Sequence, residues 1–134
     1  MLASSRLQTV ICTARLAEAE RFYGEVLGLP LQRRSHGGLI YDVGGSDLLV
    51  MPVPSFEPSA HTVVGFAVLD LDKVTAALAA RNVQWMRVPQ LGHDEAGVAV
   101  TPWGARVLWF RDPDGNVLSV VQYAVTGGGS APIS

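Results

Sequence analysis

One pattern occurs twice in this chain. TVICTARL at residues 9–16 and VVGFAVLDL at 63–71 each read as a strand that runs into an amphipathic helix, and further strands follow in both places. The two helices lie about 55 residues apart. An internal repeat constrains architecture more than any single motif, because each copy must be a unit that folds in the same way. A unit with one helix covers one face of its sheet and leaves the other in need of a partner. The expectation is an α+β fold of two tandem βαβββ modules, with facing curved mixed sheets around a cavity. That cavity is the default binding site.

The module boundaries follow from local signals. Module one is placed at about 6–53, a linker rich in Pro54 and Pro58 at about 54–60, module two at about 61–124, and a flexible tail at 125–134. RLQTVICT (6–13) reads as a strand, with Thr13 as cap of the following helix. Leu16, Ala19, Tyr23, Val26 and Leu27 recur at helical spacing, and Gly28 stops the helix. Strands near 30–35, 38–43 and 47–52 are separated by turns at His36-Gly37-Gly38 and Gly44-Gly45-Ser46. In the second module a strand spans 61–70. Asp70 or Asp72 caps a helix that Asn82 ends, and VQWMRVP (83–89) reads as a strand. A polar loop at 90–96 precedes strands near 98–102, 105–111 and 116–123. The last two are joined by a turn at Asp112-Pro113-Asp114-Gly115.

Charge excludes two partner classes. The 134 residues carry 10 basic and 12 acidic side chains, net −2, with no basic stripe, so neither nucleic acid nor a membrane is an expected partner. No apolar run has transmembrane length and no signal segment is evident. The lone Cys12 excludes an internal disulfide and a multi-cysteine zinc site, and fits a reducing cytoplasm, the expected location.

Three segments carry a family resemblance: RLAEAERFYGEVLGLPL (15–31), FAVLDLDKVTAALAARNV (66–83) and WFRDPDGNVLSVVQ (109–122). Together, in order and at this spacing, the chain resembles the vicinal oxygen chelate superfamily of glyoxalase I, bleomycin-resistance proteins and extradiol dioxygenases. The resemblance implies the two-module fold, a homodimer, and a small-molecule ligand or substrate. It does not imply one reaction, because the fold hosts many. Metal-dependent members resemble one another in a His or Gln on the first strand of a module and a carboxylate on its last. Carried over, those positions fall on Gln8, Val63 and Ser119, with Val50 as the module-one counterpart of Ser119. One amide and one hydroxyl do not make a divalent site, so neither metal nor other cofactor is expected. A bulge could instead bring His61 to the ligand position in place of Val63.

Strand alternation from these positions suggests an apolar lining of Val10, Val63, Val121 and Trp109, with Gln8 and Ser119 as polar points; Cys12 and Tyr41 are further candidates, and Phe110 goes to the core. No residue is assigned a catalytic role. Asp112 and Asp114 read as turn residues, since the ladder of a calcium loop is missing. His93-Asp94-Glu95 reads as a solvated loop. No nucleophile elbow, dinucleotide fingerprint or P-loop occurs. Two functions are carried forward. One is a metal-free protein that binds a small, largely hydrophobic molecule, resembling the bleomycin-resistance branch. The other is a lyase, isomerase or dioxygenase, metal-dependent only if His61 is a ligand.

Overall fold

A computed structural model describes residues 1–124; the tail expected at 125–134 lies outside the described residues. The elements are β1 (Gln8–Thr13), α1 (Leu16–Arg21), β2 (Leu31–Ser35), β3 (Gly38–Val43), β4 (Ser46–Pro52), β5 (Thr62–Ala67), α2 (Leu71–Ala80), β6 (Ala99–Val100), β7 (Arg106–Arg111) and β8 (Val117–Gln122). They form two separate four-stranded mixed sheets, ordered β1-β4-β3-β2 and β5-β8-β7-β6. Each sheet has one parallel pair, β1 with β4 and β5 with β8. The fold is α+β and repeats βαβββ, as the duplicated pattern requires. The described chain divides into two compact units: residues 1–58 with 112–116, and residues 59–111 with 117–124. No helix among the described residues is long and apolar enough to cross a membrane.

In the first unit, alternation sorts the strands into two faces. Ile11 and Thr13 of β1, Leu39 and Tyr41 of β3, and Leu48 and Val50 of β4 are buried on the face covered by α1. Ala19 and Tyr23 are buried with them, and the Tyr23 and Tyr41 rings lie 6.2 Å apart. The helix is not continuous. After Arg21 it widens into a π-turn over Phe22–Val26, closed by a bond from the Leu27 N–H to the Phe22 carbonyl, and Gly28 ends it at φ +72°. The two tight turns have positive φ at both central residues, His36-Gly37 and Gly44-Gly45, the twist that matches a right-handed hairpin.

Thr13 does not cap α1. The first helical turn has no side-chain cap, and the Thr13 hydroxyl instead donates to Asp114 while accepting from the Arg15 N–H. The reason is the Asp112–Asn116 turn, which belongs to this unit. The Asp112 carboxylate is buried and accepts four hydrogen bonds: from the Tyr23 hydroxyl at 2.6 Å, and from the Asp114 N–H, the Asn116 N–H and the Asn116 amide at 2.9 Å each. Asn116 also donates to the Cys12 carbonyl at 3.0 Å, and Asp114 accepts from the Ala14 N–H at 2.9 Å. Asp112 and Asp114 are thus turn residues that also satisfy the buried donors of β1 and the π-turn. Burial first, and the Asp112 charge second, push the Tyr23 phenol far above its ordinary pKa.

In the second unit, Asp70 caps α2 by accepting from the Lys73 N–H, and Asn82 ends it in the left-handed region at φ +62°. Gln122 accepts from the Leu71 N–H at 2.8 Å, which ties the start of α2 to β8. Leu71 and Leu78 of the helix and Leu108, Phe110, Leu118 and Val120 of the sheet are buried. The strand expected at 83–89 does not form. Only an isolated bridge joins Trp85 to Phe110, and the segment turns back on itself. The His93 ring holds it there: its Nε2 accepts from the Val88 N–H at 2.9 Å, its Nδ1–H donates to the Gly97 carbonyl at 2.8 Å, and it stacks on Trp85 at 5.0 Å. These bonds fix the neutral tautomer with the proton on Nδ1.

Candidate functional site

The open face of the second sheet carries a concavity of about 290 Å³. Its geometry follows from strand register. Gly65, Ser119 and Trp109 lie side by side across β5, β8 and β7, and Ala67, Val121 and Val107 form the next row. Thr62, Thr101, Ala105, Trp103 and Tyr123 complete the lining. The floor is shallow because Gly65, Ala67, Ala105 and Ser119 are small. Trp103, 75% exposed, and Tyr123 stand at the rim. None of these residues is Asp, Glu, Lys, Arg or His.

Ser119 is 8% exposed, and its hydroxyl makes no hydrogen bond among the described residues. No fully buried side-chain oxygen or nitrogen lacks a partner, so this hydroxyl keeps contact with the open space of the concavity. The Thr101 hydroxyl is committed to the Ala105 backbone. Gly65 leaves room beside Ser119: a Cβ there would stand 3.1 Å from the serine oxygen, a tight contact.

The sequence positions separate as follows. Trp109, Ser119 and Val121 come together in this concavity. Val63 does not join them. The β5–β8 register slips between Thr62 and Val64, and with Val63 as the extra residue it is Thr62 that lines the concavity. The slip moves Thr62 into line and not His61, which is exposed, precedes β5 and bonds through its backbone to Ser59. Gln8, Val10 and Cys12 share the open face of the first sheet with Leu49 and Met51. At that end of the face Arg6 pairs with Asp47 at 2.8 Å and Asp42 at 3.1 Å, and the guanidinium holds the Asp47 carboxyl below its ordinary pKa.

Val50 and Tyr41 require correction as lining residues. Val50 pairs with Ile11 on the helix-covered face and is fully buried; the counterpart of Ser119 is Leu49, since Val10 pairs with Leu49 as Gly65 pairs with Ser119. Tyr41 also faces the helix, where its hydroxyl donates to the Glu20 carbonyl at 3.4 Å, and burial and then the Glu20 charge raise its pKa. It borders a different groove, of about 340 Å³, beside Glu20, Arg21 and Glu25.

The donors do not fit a divalent metal. Of the positions that the resemblance marks for ligands in the second unit, Val63 has no donor side chain and Ser119 offers a hydroxyl; Thr62 adds a further hydroxyl to the lining. Among the described residues, no three His, Cys, Asp or Glu side chains converge as a metal site would need. Gly65, Ala67, Ala105 and Tyr123 escape sequence reading because their relevance lies in register with Ser119 and Val121. Alternation from Val121 reaches Tyr123, the one signal that could have found it.

Comparison with known proteins agrees with this architecture. A family model described as Glyoxalase/Bleomycin resistance protein/Dioxygenase superfamily matches residues 6–120. Among solved structures, the chain is similar to a lactoylglutathione lyase from Agrobacterium tumefaciens, with TM-score 0.67 and 21% identity over 89% of this chain and 93% of that one. It is similar also to a glyoxalase/bleomycin resistance protein/dioxygenase from Alicyclobacillus acidocaldarius, with TM-score 0.67 and 20% identity over 90% and 92%. An integron cassette protein from the mobile metagenome of V. cholerae matches with TM-score 0.65 and 23% identity over 92% and 98%. At these identities the likeness is one of fold. A search of curated proteins found no match.

Proposed function

The chain belongs to the Glyoxalase/Bleomycin resistance protein/Dioxygenase superfamily, and on that premise we propose that it binds a small, largely hydrophobic molecule on the open face of its second sheet, without a metal. One observation carries the reading: a concavity of about 290 Å³, lined by apolar, aromatic and hydroxyl side chains and by no charged one, includes Ser119, the last-strand position that the resemblance marks. Its volume is at the lower end of the range of small-molecule sites, about 300–1,000 Å³. Support for a metal-free site comes from the donor set, since neutral hydroxyls at Thr62 and Ser119 are weak ligands for a divalent ion.

Equilibrium titration of tryptophan fluorescence against a panel of hydrophobic metabolites and antibiotics tests the reading, because Trp103 and Trp109 line the concavity. Saturable quenching is expected, and Ala67→Phe, which fills the site from β5, should abolish it. An absence of saturation across the panel, or binding that survives Ala67→Phe, would remove this site from consideration. Elemental mass spectrometry of protein purified without chelator is expected to find far less than one divalent metal per chain; a stoichiometric metal would bring the superfamily's lyases, isomerases and dioxygenases forward instead. A homodimer belongs to the same reading and is supported by the outer strands β1, β2 and β5, each with one edge unpaired among the described residues. Sedimentation equilibrium tests it, with a monomer mass as the contrary result.

A further inference from the structure

From the same concavity we infer the chemical class of its ligand: an uncharged, flat ring compound bearing one hydroxyl or carbonyl oxygen, seated on the Gly65–Ser119 floor with that oxygen on the Ser119 hydroxyl. The inference rests on the binding reading above and narrows it. Three observations carry it.

The first is the floor. In the row Gly65–Ser119–Trp109, side-chain height rises from nothing to a hydroxymethyl group to an indole. Neighbouring strands stand about 4.8 Å apart, so a flat molecule can lie over β5 and β8 against the wall that Trp109 makes. A ligand of full tetrahedral thickness would contact that floor poorly and forfeit dispersion contacts on one side.

The second is the unused hydroxyl. Ser119 is more than nine-tenths buried, faces the concavity, and has no hydrogen-bond partner among the described residues. The hydroxyl opens onto the concavity with its bonding capacity unspent within the described residues, so a ligand oxygen seated there can take the place of water on it. The indole N–H of Trp109 likewise makes no hydrogen bond among the described residues, which adds a donor and favours an oxygen acceptor on the ligand. Gly65 leaves the serine hydroxyl open on that side, where a methyl group would crowd it at 3.1 Å.

The third is charge. No lining residue can pair with an ion. The nearest strand charge, Arg106, alternates to the other side of β7 and is committed to Asp72 at 2.6 Å. A carboxylate or ammonium group brought into this space would lose its water with nothing to replace it.

A matched ligand series separates these requirements, measured by isothermal titration calorimetry on the full chain. The probes are 2-naphthol, naphthalene, 2-naphthoate, 2-naphthylmethylammonium and the saturated decahydro-2-naphthol. For a ligand of about eleven non-hydrogen atoms, 2-naphthol is expected to bind with a Kd on the order of 10–100 μM. Both charged probes and the saturated alcohol should bind at least about tenfold more weakly. Ser119→Ala should weaken 2-naphthol about three- to tenfold, as loss of one hydrogen bond does, and leave naphthalene unchanged. A thermal melt of the variant confirms its fold. Equal or tighter binding of 2-naphthoate or the ammonium probe would overturn the uncharged class, equal binding of the saturated alcohol would overturn flatness, and an unchanged 2-naphthol affinity in Ser119→Ala would overturn the oxygen contact. In each of those cases binding itself stands. If no probe binds saturably, the binding reading falls as well.

Discussion

Replacing Tyr23 with Phe tests the most concentrated polar cluster in the protein. The substitution removes one oxygen and leaves the buried ring in place. The Tyr23 hydroxyl donates to Asp112 at 2.6 Å, and both residues are buried. Hydrogen bonds to a charged acceptor contribute about 1.5–3 kcal/mol each, twice the usual net value or more. The carboxylate would keep its three other donors, from Asp114 and Asn116, so the cost is that of one bond and not of an abandoned charge. For a domain of this length, about 3–5 °C of melting temperature corresponds to 1 kcal/mol, so Tyr23→Phe should melt about 5–15 °C lower. Circular dichroism during heating reads the shift. Calorimetry checks that the two units unfold together, a condition for converting the shift into free energy. Asp112→Ala should cost more, about 3–5 kcal/mol, because it abandons all four donors. In the double variant the two costs should fall short of their sum by about 1–2 kcal/mol. A Tyr23→Phe protein that melts within about 2 °C of the parent, with additive costs in the double variant, would refute the coupling.

Two further outcomes follow from the same geometry. The Tyr23 and Tyr41 phenols both have pKa values raised by burial and by a neighbouring carboxylate, so above the ordinary tyrosine value near 10 the unfolded chain releases protons that the folded one retains. Stability from these groups is full below about pH 10 and falls as pH rises, with a limiting slope of about 1.4 kcal/mol per pH unit per tyrosine; urea unfolding between pH 8 and 11 measures it, and Tyr23→Phe should flatten the slope. Gly97→Ala should disrupt the 83–98 loop, because Gly97 sits at φ +93° and a Cβ would stand 2.3 Å from the Trp85 ring. Strain and overpacking of that kind cost about 2–4 kcal/mol, or release the loop locally. Loss of near-ultraviolet circular dichroism and faster proteolysis in the loop are the expected signs, and a parental spectrum would contradict the packing of Trp85 on Gly97.

What could be read from sequence divides by range. Signals that act within a few residues were legible: the Asp70 cap, the left-handed Asn82, the paired positive-φ turns, and the helix stop at Gly28. Alternation assigned Phe110 to the core for the same reason. The strand expected at 83–89 fails because its cause is distant. Val83, Trp85 and Val88 supply the β-branched and aromatic residues a strand favours, yet His93 and Gly97 draw the segment into a folded loop, and neither shows in the local pattern. Thr13 fails as a cap for a related reason, since its hydroxyl is claimed by Asp114, about a hundred residues away.

The candidate site is legible only where parity can be anchored. Ser119 follows from counting on past the Asp112–Asn116 turn and Trp109 from its alternation with Phe110, and β7 and β8 pair without a slip, so the two fall on one face. Val63 was placed by counting back along β5, and the slip between Thr62 and Val64 breaks the count before it arrives. Three consecutive β-branched residues, Thr62, Val63 and Val64, carry no mark of which one is extra. For Tyr41 and Val50 no anchor existed, and one residue of error moves a side chain to the opposite face of the sheet. The two motifs that best carried the resemblance, Phe22-Tyr23 and Asp112–Asn116, meet through the Tyr23–Asp112 bond. Both therefore report on how the first unit is held together. On the open face of the second sheet it is the small residues, Gly65, Ala67, Ala105 and Ser119, that leave room for the concavity, and small residues carry little signal in a hydrophobic pattern.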